Sequence, residues 1–295
     1  MAEPVLKWAG GKRQILHQIL GCFPPDAEVS RYHEPFFGGG AVFFEETHDY
    51  AGSINDINLR LMNFYWVVRE HPDDLIEHNE THEGNEDYYY DARDRFNAIR
   101  NEVERFEHND QAIQEASLLL YLNRNCYNGL YRENSSGEFN VPYGGYTNPD
   151  WIQSSRIYAA GETIEGVEIF SQDFEYILKE AQKGDLVYFD PPYEPVSTTS
   201  SFVEYHNSAF GQEEQTRLSE VAVRLHENDV HVVISNSPPM KKLYSGLEEF
   251  DVMPIGARRS INSNAEDRGE VKEILVTNVS NQRASEPSLE EFTAD

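Results

Sequence analysis

The sequence contains little cysteine and no long apolar run. Its only cysteines, Cys22 and Cys126, have neither the spacing of a metal-binding motif nor the number that a disulfide framework requires. No run of about 18 apolar residues is present, so no transmembrane helix is predicted. The N-terminal stretch MAEPVLKWAGGKRQ lacks the apolar segment of a signal peptide. A cytoplasmic protein is therefore the simplest interpretation.

Positive charge is also scarce. Lysine and arginine number 24, against 52 aspartates and glutamates, and the formal net charge is −28. A chain this acidic is repelled by nucleic acid in dilute salt. At about 1 M salt the Debye length falls to roughly 3 Å, so self-repulsion is screened while surface carboxylates keep the protein hydrated. We therefore favour a halophilic protein, and an ordinary acidic protein with an acidic partner is the open alternative.

Strand-like and helix-like segments alternate along most of the chain. Apolar runs predict strands that begin near Val29, Ser53, Val167, Leu186, His231 and Val271. Helical spacing predicts helices over 12–22, 41–46, 59–69 and 212–226. This alternation predicts an α/β fold in which helices cover both faces of a mostly parallel sheet.

Residues 70–154 interrupt the alternation. Helical spacing is present at 88–106 and 111–122, and a loop rich in glycine and asparagine follows. We therefore predict an inserted helical domain at 70–154. The α/β domain would comprise 1–69 and 155–279, and 280–295 would form a disordered acidic tail.

The insertion has an uneven distribution of charge. Segment 70–115 contains 15 acidic and 4 basic residues, whereas 121–146 contains two arginines and two glutamates. The strongest negative charge is thus separated from the loop, which is neutral.

A short apolar run, Leu186 to Phe189, ends at the tetrapeptide Asp190-Pro191-Pro192-Tyr193. Two consecutive prolines cannot donate hydrogen bonds to a sheet, so the predicted strand must stop there. In open α/β sheets, ligands bind just outside the carboxyl ends of strands. Taken alone, the tetrapeptide fits a ligand site and a plain strand terminator about equally.

Three further features are typical of a site for a nucleotide-like ligand. The segment EPFFGGGAVFF places Gly38, Gly39 and Gly40 between a predicted strand and a predicted helix, where backbone can approach a ligand closely. Asp56 ends the next strand, the position at which Rossmann-type sites bind ribose hydroxyls. The segment KWAGGKR, at 7–13, adds a second glycine turn with three cations, although a helix start would explain it too.

The tetrapeptide suits transfer of an electrophilic group to the exocyclic amine of a base. Such an amine is a poor nucleophile because its lone pair is delocalised into the ring. The Asp190 carboxylate and the Pro191 carbonyl would accept hydrogen bonds from its N–H groups and stabilise the transition state. Tyr193 would stack on a base flipped out of the duplex, and this stacking is worth about 1–3 kcal/mol.

Together these segments resemble the Dam-type DNA adenine N6-methyltransferases, which depend on S-adenosylmethionine. The matching segments, from residue 7 to about 278, are KWAGGKR, HEPFFGGGAVFF, INDIN, LNRNCYNGLYRENSSGEFNVPYGGY, VYFDPPYEP, SNS and KEILVTN. The resemblance implies a Rossmann-like methyltransferase sheet, mostly parallel with one antiparallel strand, and an inserted DNA-recognition domain. It also implies methylation of N6 of adenine in double-stranded DNA, within GATC, by base flipping. A free-standing enzyme, a restriction–modification enzyme and a viral enzyme are all compatible with it.

The resemblance also implies roles for individual residues. The catalytic residues would be Asp190, Pro191 and Tyr193. The residues around S-adenosylmethionine would be Trp8, Gly10, Lys12, Phe36, Gly38, Asp56, Asp173 and Asp190. The DNA-recognition residues would be Lys7, Arg124, Asn128, Leu130, Arg132, Asn140, Pro142 and Tyr146.

Among the DNA-recognition residues, Arg132 would contact a guanine, since arginine paired with guanine is the commonest direct readout. Leu130 and Pro142 would pack near a thymine, and Tyr146 and Lys7 would contact the outer guanine. The chain departs from the family at Gly145, where a basic or bulkier residue is frequent.

Two other functional classes stay open on the sequence. The same tetrapeptide suits methylation of N4 of cytosine or of amines in RNA or protein, and a DNA-binding module without catalysis is the third class. His78 and His82 are spaced like a metal pair but lack a convincing third ligand, so no metal site is predicted. No membrane contact and no obligate protein partner are expected.

Overall fold

In the computed structural model, residues 2–45, 51–193, 210–257 and 271–279 are described. Their strands form one seven-stranded sheet in the order β3-β2-β1-β4-β5-β7-β6. The strands are β1 (Tyr32–Glu34), β2 (Gly52–Asn55), β3 (Val167–Phe170), β4 (Leu186–Phe189), β5 (His231–Asn236), β6 (Asp251–Ala257) and β7 (Val271–Thr277). The predicted tail at 280–295 lies outside the described residues.

Strand direction confirms the predicted α/β fold. Strands β1 to β5 are paired in parallel, whereas β7 pairs antiparallel with both β5 and β6. Among the described strands, one therefore runs against the rest. The carboxyl ends of β1, β2, β4 and β5 meet at one edge of the sheet, which is where such folds bind ligands.

The helices are α1 (Leu16–Leu20), α2 (Leu59–Glu70), α3 (Pro72–Glu80), α4 (Glu86–Ala98), α5 (Asp110–Asn125), α6 (Ser154–Thr163), α7 (Ile177–Glu180), α8 (Gln212–Glu227) and α9 (Lys241–Tyr244). Three of them begin at an asparagine whose side chain accepts a backbone N–H of the first turn: Asn58 caps α2, Asn85 caps α4 and Asn109 caps α5. Such caps satisfy amide groups that the helix itself leaves unpaired. No helix in these ranges is long and apolar enough to cross a membrane.

The sheet is buried on both faces. Along β4, Leu186 and Tyr188 belong to one hydrophobic cluster, while Val187 and Phe189 belong to the other. This alternation is the two-residue period of a strand. Helices α2 to α6 contribute to the first cluster and α8 to the second, so helices cover both faces as predicted.

The segment 70–154 contains α3, α4 and α5, which pack with α2 in the same hydrophobic cluster. Buried Glu115 on α5 accepts hydrogen bonds from Arg60 on α2 at 2.9 Å and from Arg105 at 2.7 Å. These two arginines compensate for the loss of water around the carboxylate. The division of the chain into two functional domains stays a prediction.

Several predicted element bounds were wrong. The helix expected at 41–46 is absent in the described part, since 41–45 form turns. Phe43 packs on Tyr32 and Phe37, while Phe44 packs on Phe37 and Tyr65. These contacts bury the rings of both Phe43 and Phe44, which are adjacent in the chain. In a helix, adjacent side chains point in different directions and do not share one apolar stripe.

Two helices are shorter than predicted and one strand was missed. Helix α1 covers only part of 12–22, and α4 ends at Ala98, so the predicted helix at 88–106 was too long. Beyond it, Phe106 has a left-handed φ of 62° and donates its N–H to Asn63. Strand β6 contains Pro254, which disfavours a strand in a sequence but is tolerated at the sheet edge that β6 occupies.

Candidate active site

The tetrapeptide follows β4, at the carboxyl edge of the sheet between β1 and β5. There Asp190 Oδ1 lies 2.9 Å from the ammonium nitrogen of Lys12, whose side chain is 4% exposed. Burial raises the pKa of Asp190, and the ammonium of Lys12 opposes that rise. The structure thus joins two of the predicted site residues, which are separated by 178 positions in the chain, in a largely buried ion pair.

Tyr193 lies on the other side of the same ammonium. Its ring centroid is 4.2 Å from Lys12 Nζ, and its hydroxyl accepts a hydrogen bond from Nζ at 2.5 Å. The hydroxyl donates to Glu273 Oε2 at 2.6 Å. Burial and the nearby carboxylates raise the pKa of Tyr193, so the hydroxyl stays protonated and serves as the donor.

Two buried side-chain amides form a hydrogen-bonded chain that ends at the proline pair. Gln215 on α8 donates to the Pro192 carbonyl at 3.3 Å, and its own oxygen accepts from Asn236 at 2.8 Å. Both amide side chains are buried. Gln215, Asn236 and Glu273 are not among the predicted site residues. The family-like segments SNS and KEILVTN contain the last two, and that is the signal that marks them.

The glycine turn after β1 and the turn after β2 are joined by Asp56. Its carboxylate accepts the backbone N–H of Gly38 at 3.0 Å and of Asn58 at 2.9 Å. Gly38 has a φ of +51°, and a Cβ there would lie 2.9 Å from Trp8 Cδ1. Glycine is needed at this position for the backbone conformation and for the close approach of the indole. Trp8, Gly38 and Asp56 therefore lie close together.

Phe36 follows β1 and Asp173 follows β3, so both lie at the carboxyl edge of the sheet. The Phe36 ring packs against Phe174 at 5.4 Å and Phe210 at 5.3 Å. Asp173 directly precedes Phe174, and its carboxylate accepts from Arg217 at 3.0 Å. Gly10 has a φ of +85° and no atom within 4 Å of a Cβ built on it, so the backbone there is open to a ligand.

The predicted recognition loop is built around a short hairpin. Glu133 and Phe139 form an isolated antiparallel β-bridge. Arg132 Nε donates a hydrogen bond to Asn140 Oδ1 at 2.7 Å, which orients the arginine side chain. Four other predicted DNA-recognition residues are exposed: Asn128, Leu130, Pro142 and Tyr146. The loop therefore presents apolar and polar side chains together, as base readout requires.

Lys7 connects this loop to the catalytic edge. Its backbone N–H and C=O both bond to the side chain of Asn123 on α5, each at 2.8 Å. Its ammonium lies 4.9 Å from the ring centroid of Tyr146, whose hydroxyl accepts the Asn128 N–H at 2.8 Å. The structure thus brings Lys7, Asn128 and Tyr146 into one patch.

Arg124 has a different environment. Its guanidinium donates to the Val5 carbonyl and to Gln153 Oε1, and burial lowers its pKa to about 10. It lines a groove of about 760 Å³ together with Lys7 and Tyr146. A DNA contact by Arg124 stays a prediction.

His78 and His82 do not converge on one site. His82 is hydrogen-bonded to the Tyr88 and Ser117 hydroxyls, each at 2.8 Å, and burial lowers its pKa to about 4, which is the environment of a neutral core histidine. Within the described ranges, the side chains of His71, Asp74 and His108 form one group with ligand atoms within 4.8 Å of one another. The two imidazole rings are stacked 4.0 Å apart, and His71 Nδ1 and His108 Nε2 lie 3.7 and 3.3 Å from the same Asp74 oxygen, so contacts between histidine and carboxylate explain this group.

Comparison with known proteins identifies this combination of fold and site. Residues 8–261 match the family model of the D12 class N6 adenine-specific DNA methyltransferases. A Type II methyltransferase of Lactococcus lactis subsp. cremoris is 41% identical over 287 residues, which cover 95% of this chain and 96% of the relative. A Type II methyltransferase of Methanocaldococcus jannaschii is 36% identical over 94% of this chain and 99% of its own length. A DNA adenine methylase of Escherichia coli strain K12 is 34% identical over 92% of this chain and 93% of its own.

The chain belongs to the D12 class of N6 adenine-specific DNA methyltransferases. It is thus an enzyme that methylates adenine in DNA, which confirms the family and the class of reaction that the motifs predict.

Proposed function

We propose that this enzyme transfers a methyl group from S-adenosylmethionine to N6 of the adenine in GATC, within double-stranded DNA, after flipping that adenine out of the helix. The observation that carries the proposal is the position of Asp190, Pro191 and Tyr193 at the carboxyl edge of the sheet, the edge at which Asp56, after β2, binds Gly38, after β1. A carboxylate, a backbone carbonyl and an aromatic ring are the groups that an exocyclic amine and its base require.

The residues at the glycine turn suit S-adenosylmethionine. Asp56 follows β2, where a carboxylate accepts hydrogen bonds from ribose hydroxyls in Rossmann-type sites. The open backbone at Gly10 and the ring of Phe36 offer space and an apolar face nearby. The bound cofactor supplies an electrophilic methyl group on a sulfonium sulfur. Trp8, Lys12, Gly38 and Asp173 complete the proposed set.

In the proposed reaction, the chain positions the target amine. The Asp190 carboxylate and the Pro191 carbonyl accept hydrogen bonds from its two N–H groups, which favours the pyramidal nitrogen of the transition state. The amine nitrogen would take the methyl group and leave the uncharged thioether, and its extra proton would pass by way of the Asp190 carboxylate to solvent. Tyr193 provides the stacking surface that offsets part of the cost of flipping, a few kcal/mol.

The recognition of GATC is proposed from the exposed loop and from the relatives called DNA adenine methylases. Arg132 would contact a guanine, Leu130 and Pro142 a thymine methyl group, and Lys7 with Tyr146 the outer guanine. Asn140 supports this assignment because its side-chain oxygen accepts a hydrogen bond from Arg132 Nε at 2.7 Å and so orients the guanidinium. The helical region 70–154 would thus hold the recognition surface and 1–69 with 155–279 the catalytic one.

Arg132→Ala is expected to relax discrimination at one guanine of the site by about 1–3 kcal/mol, roughly 5- to 150-fold. The reason is the loss of a directed pair of hydrogen bonds to the guanine edge. Methylation rates on GATC duplexes and on duplexes changed at each single position would measure it. Arg224→Ala, at an exposed arginine on α8, is the control and should leave the preference intact. An unchanged site preference with Arg132→Ala would show that the assignment of this residue is wrong.

A further inference from the structure

The ammonium of Lys12 is shared by two carboxylates. It lies 2.9 Å from Asp190 Oδ1 and 3.4 Å from Glu273 Oε2, and its third neighbour is the Tyr193 hydroxyl at 2.5 Å. Lys12 is 4% exposed and Glu273 16% exposed, so both groups are largely removed from water. One cation thus balances two partly buried anions.

This arrangement conflicts with the proposed binding of adenine. Lys12 bonds to the carboxylate that the target amine needs, and its ammonium lies over the Tyr193 ring on which the base would stack. Lys12 therefore competes with the adenine for the Asp190 carboxylate and for the Tyr193 ring, and the amine gains the whole carboxylate only when the ammonium moves away. A buried ammonium that loses its counter-ion without gaining another is strongly unfavourable.

We propose that Glu273 is a positioning residue that takes over the Lys12 ammonium when the target amine binds Asp190. This inference rests on the proposed function. The Lys12–Glu273 separation needs to shorten by only about 0.5 Å to become an ordinary charge-assisted hydrogen bond. Glu273 lies on β7, and the hydroxyl of Tyr193 anchors its carboxylate at 2.6 Å. The same contact fixes the tyrosine ring against which the base would stack.

Glu273→Gln tests the charge separately from the hydrogen bond. Glutamine has nearly the same shape and its amide oxygen still accepts the Tyr193 hydroxyl, but it offers Lys12 no negative charge. The readout is the fluorescence of 2-aminopurine placed at the target adenine of a GATC duplex, with S-adenosylhomocysteine bound. We expect the wild-type signal to rise on binding and the Glu273→Gln signal to rise at least tenfold less. The melting temperature of Glu273→Gln should stay within a few degrees of wild type, and its affinity for S-adenosylhomocysteine should stay within twofold. Glu273→Asp should recover part of the fluorescence signal.

The variant Lys12→Met removes the cation that needs a second partner. In that background, adding Glu273→Gln should change the fluorescence less than twofold. A purely structural Glu273 would instead lower the melting temperature and reduce the signal equally in both backgrounds, and that result would overturn the inference. So would a wild-type signal from Glu273→Gln. A flat signal from the wild-type enzyme would contradict base flipping itself.

Discussion

Replacing Asp190 with alanine is expected to slow methyl transfer by about 10²- to 10³-fold, the loss typical of one oriented acceptor or donor at a developing charge. The amine would lose its carboxylate acceptor, while the Pro191 carbonyl and the Tyr193 ring remain. Single-turnover methylation of a GATC duplex at saturating S-adenosylmethionine measures this directly.

The folded state should survive the Asp190 substitution. Lys12 keeps Glu273 Oε2 at 3.4 Å and the Tyr193 hydroxyl at 2.5 Å, so its ammonium is not left without a partner. Gln215 still holds the Pro192 carbonyl. Thermal melting should therefore resemble wild type. Turnover at the wild-type rate by this folded variant would remove Asp190 from the mechanism.

Raising monovalent salt from about 0.1 M to about 1 M is expected to increase both thermal stability and methylation. The formal net charge of −28 destabilises the compact state when it is unscreened. DNA binding has the opposite dependence, since a protein that neutralises 6–10 phosphates loses about 10³–10⁵ in affinity between 50 and 200 mM salt. The proposed recognition segment, 121–146, has no net charge, so few phosphate contacts and a shallow salt slope are expected.

Melting curves and methylation rates across a series of NaCl concentrations test this, with KCl and sodium sulfate at matched ionic strength as controls. Screening depends on ionic strength, so NaCl and KCl should give the same midpoint, whereas sulfate adds a stabilising effect through surface exclusion. A protein that is fully folded at low salt, and whose activity declines steadily above about 0.2 M, would rule out the halophilic interpretation.

The sequence was sufficient for the strands at the centre of the sheet. A run such as Leu186 to Phe189, closed by prolines, indicates a strand because a parallel strand buried on both faces is mostly apolar and ends where no N–H donor is available. The edge strand β6 was missed because its pattern includes Pro254, and only the position at the edge makes that residue acceptable. Near Phe43, contacts between aromatic rings override the local helical spacing.

The candidate site was predictable only in part. Asp190 and Asp56 follow strands, so their position at one edge of a parallel sheet follows from topology. The contacts of Lys12 with Glu273 join residues 261 positions apart, and no periodicity or spacing encodes such a pair. Gln215 and Asn236 are likewise marked by no local pattern, since their role depends on how α8 packs against β5. Long-range polar contacts therefore require the structure.

The most direct test of the central claim is to express this chain in cells without adenine methylation, then analyse their DNA by nucleoside mass spectrometry and modification-aware sequencing. We expect N6-methyladenine at the adenine of GATC on both strands, and much less of it in cells that express Asp190→Ala. Methylation at N4 of cytosine, or methylation only of adenines that lie outside GATC, would contradict the proposed function.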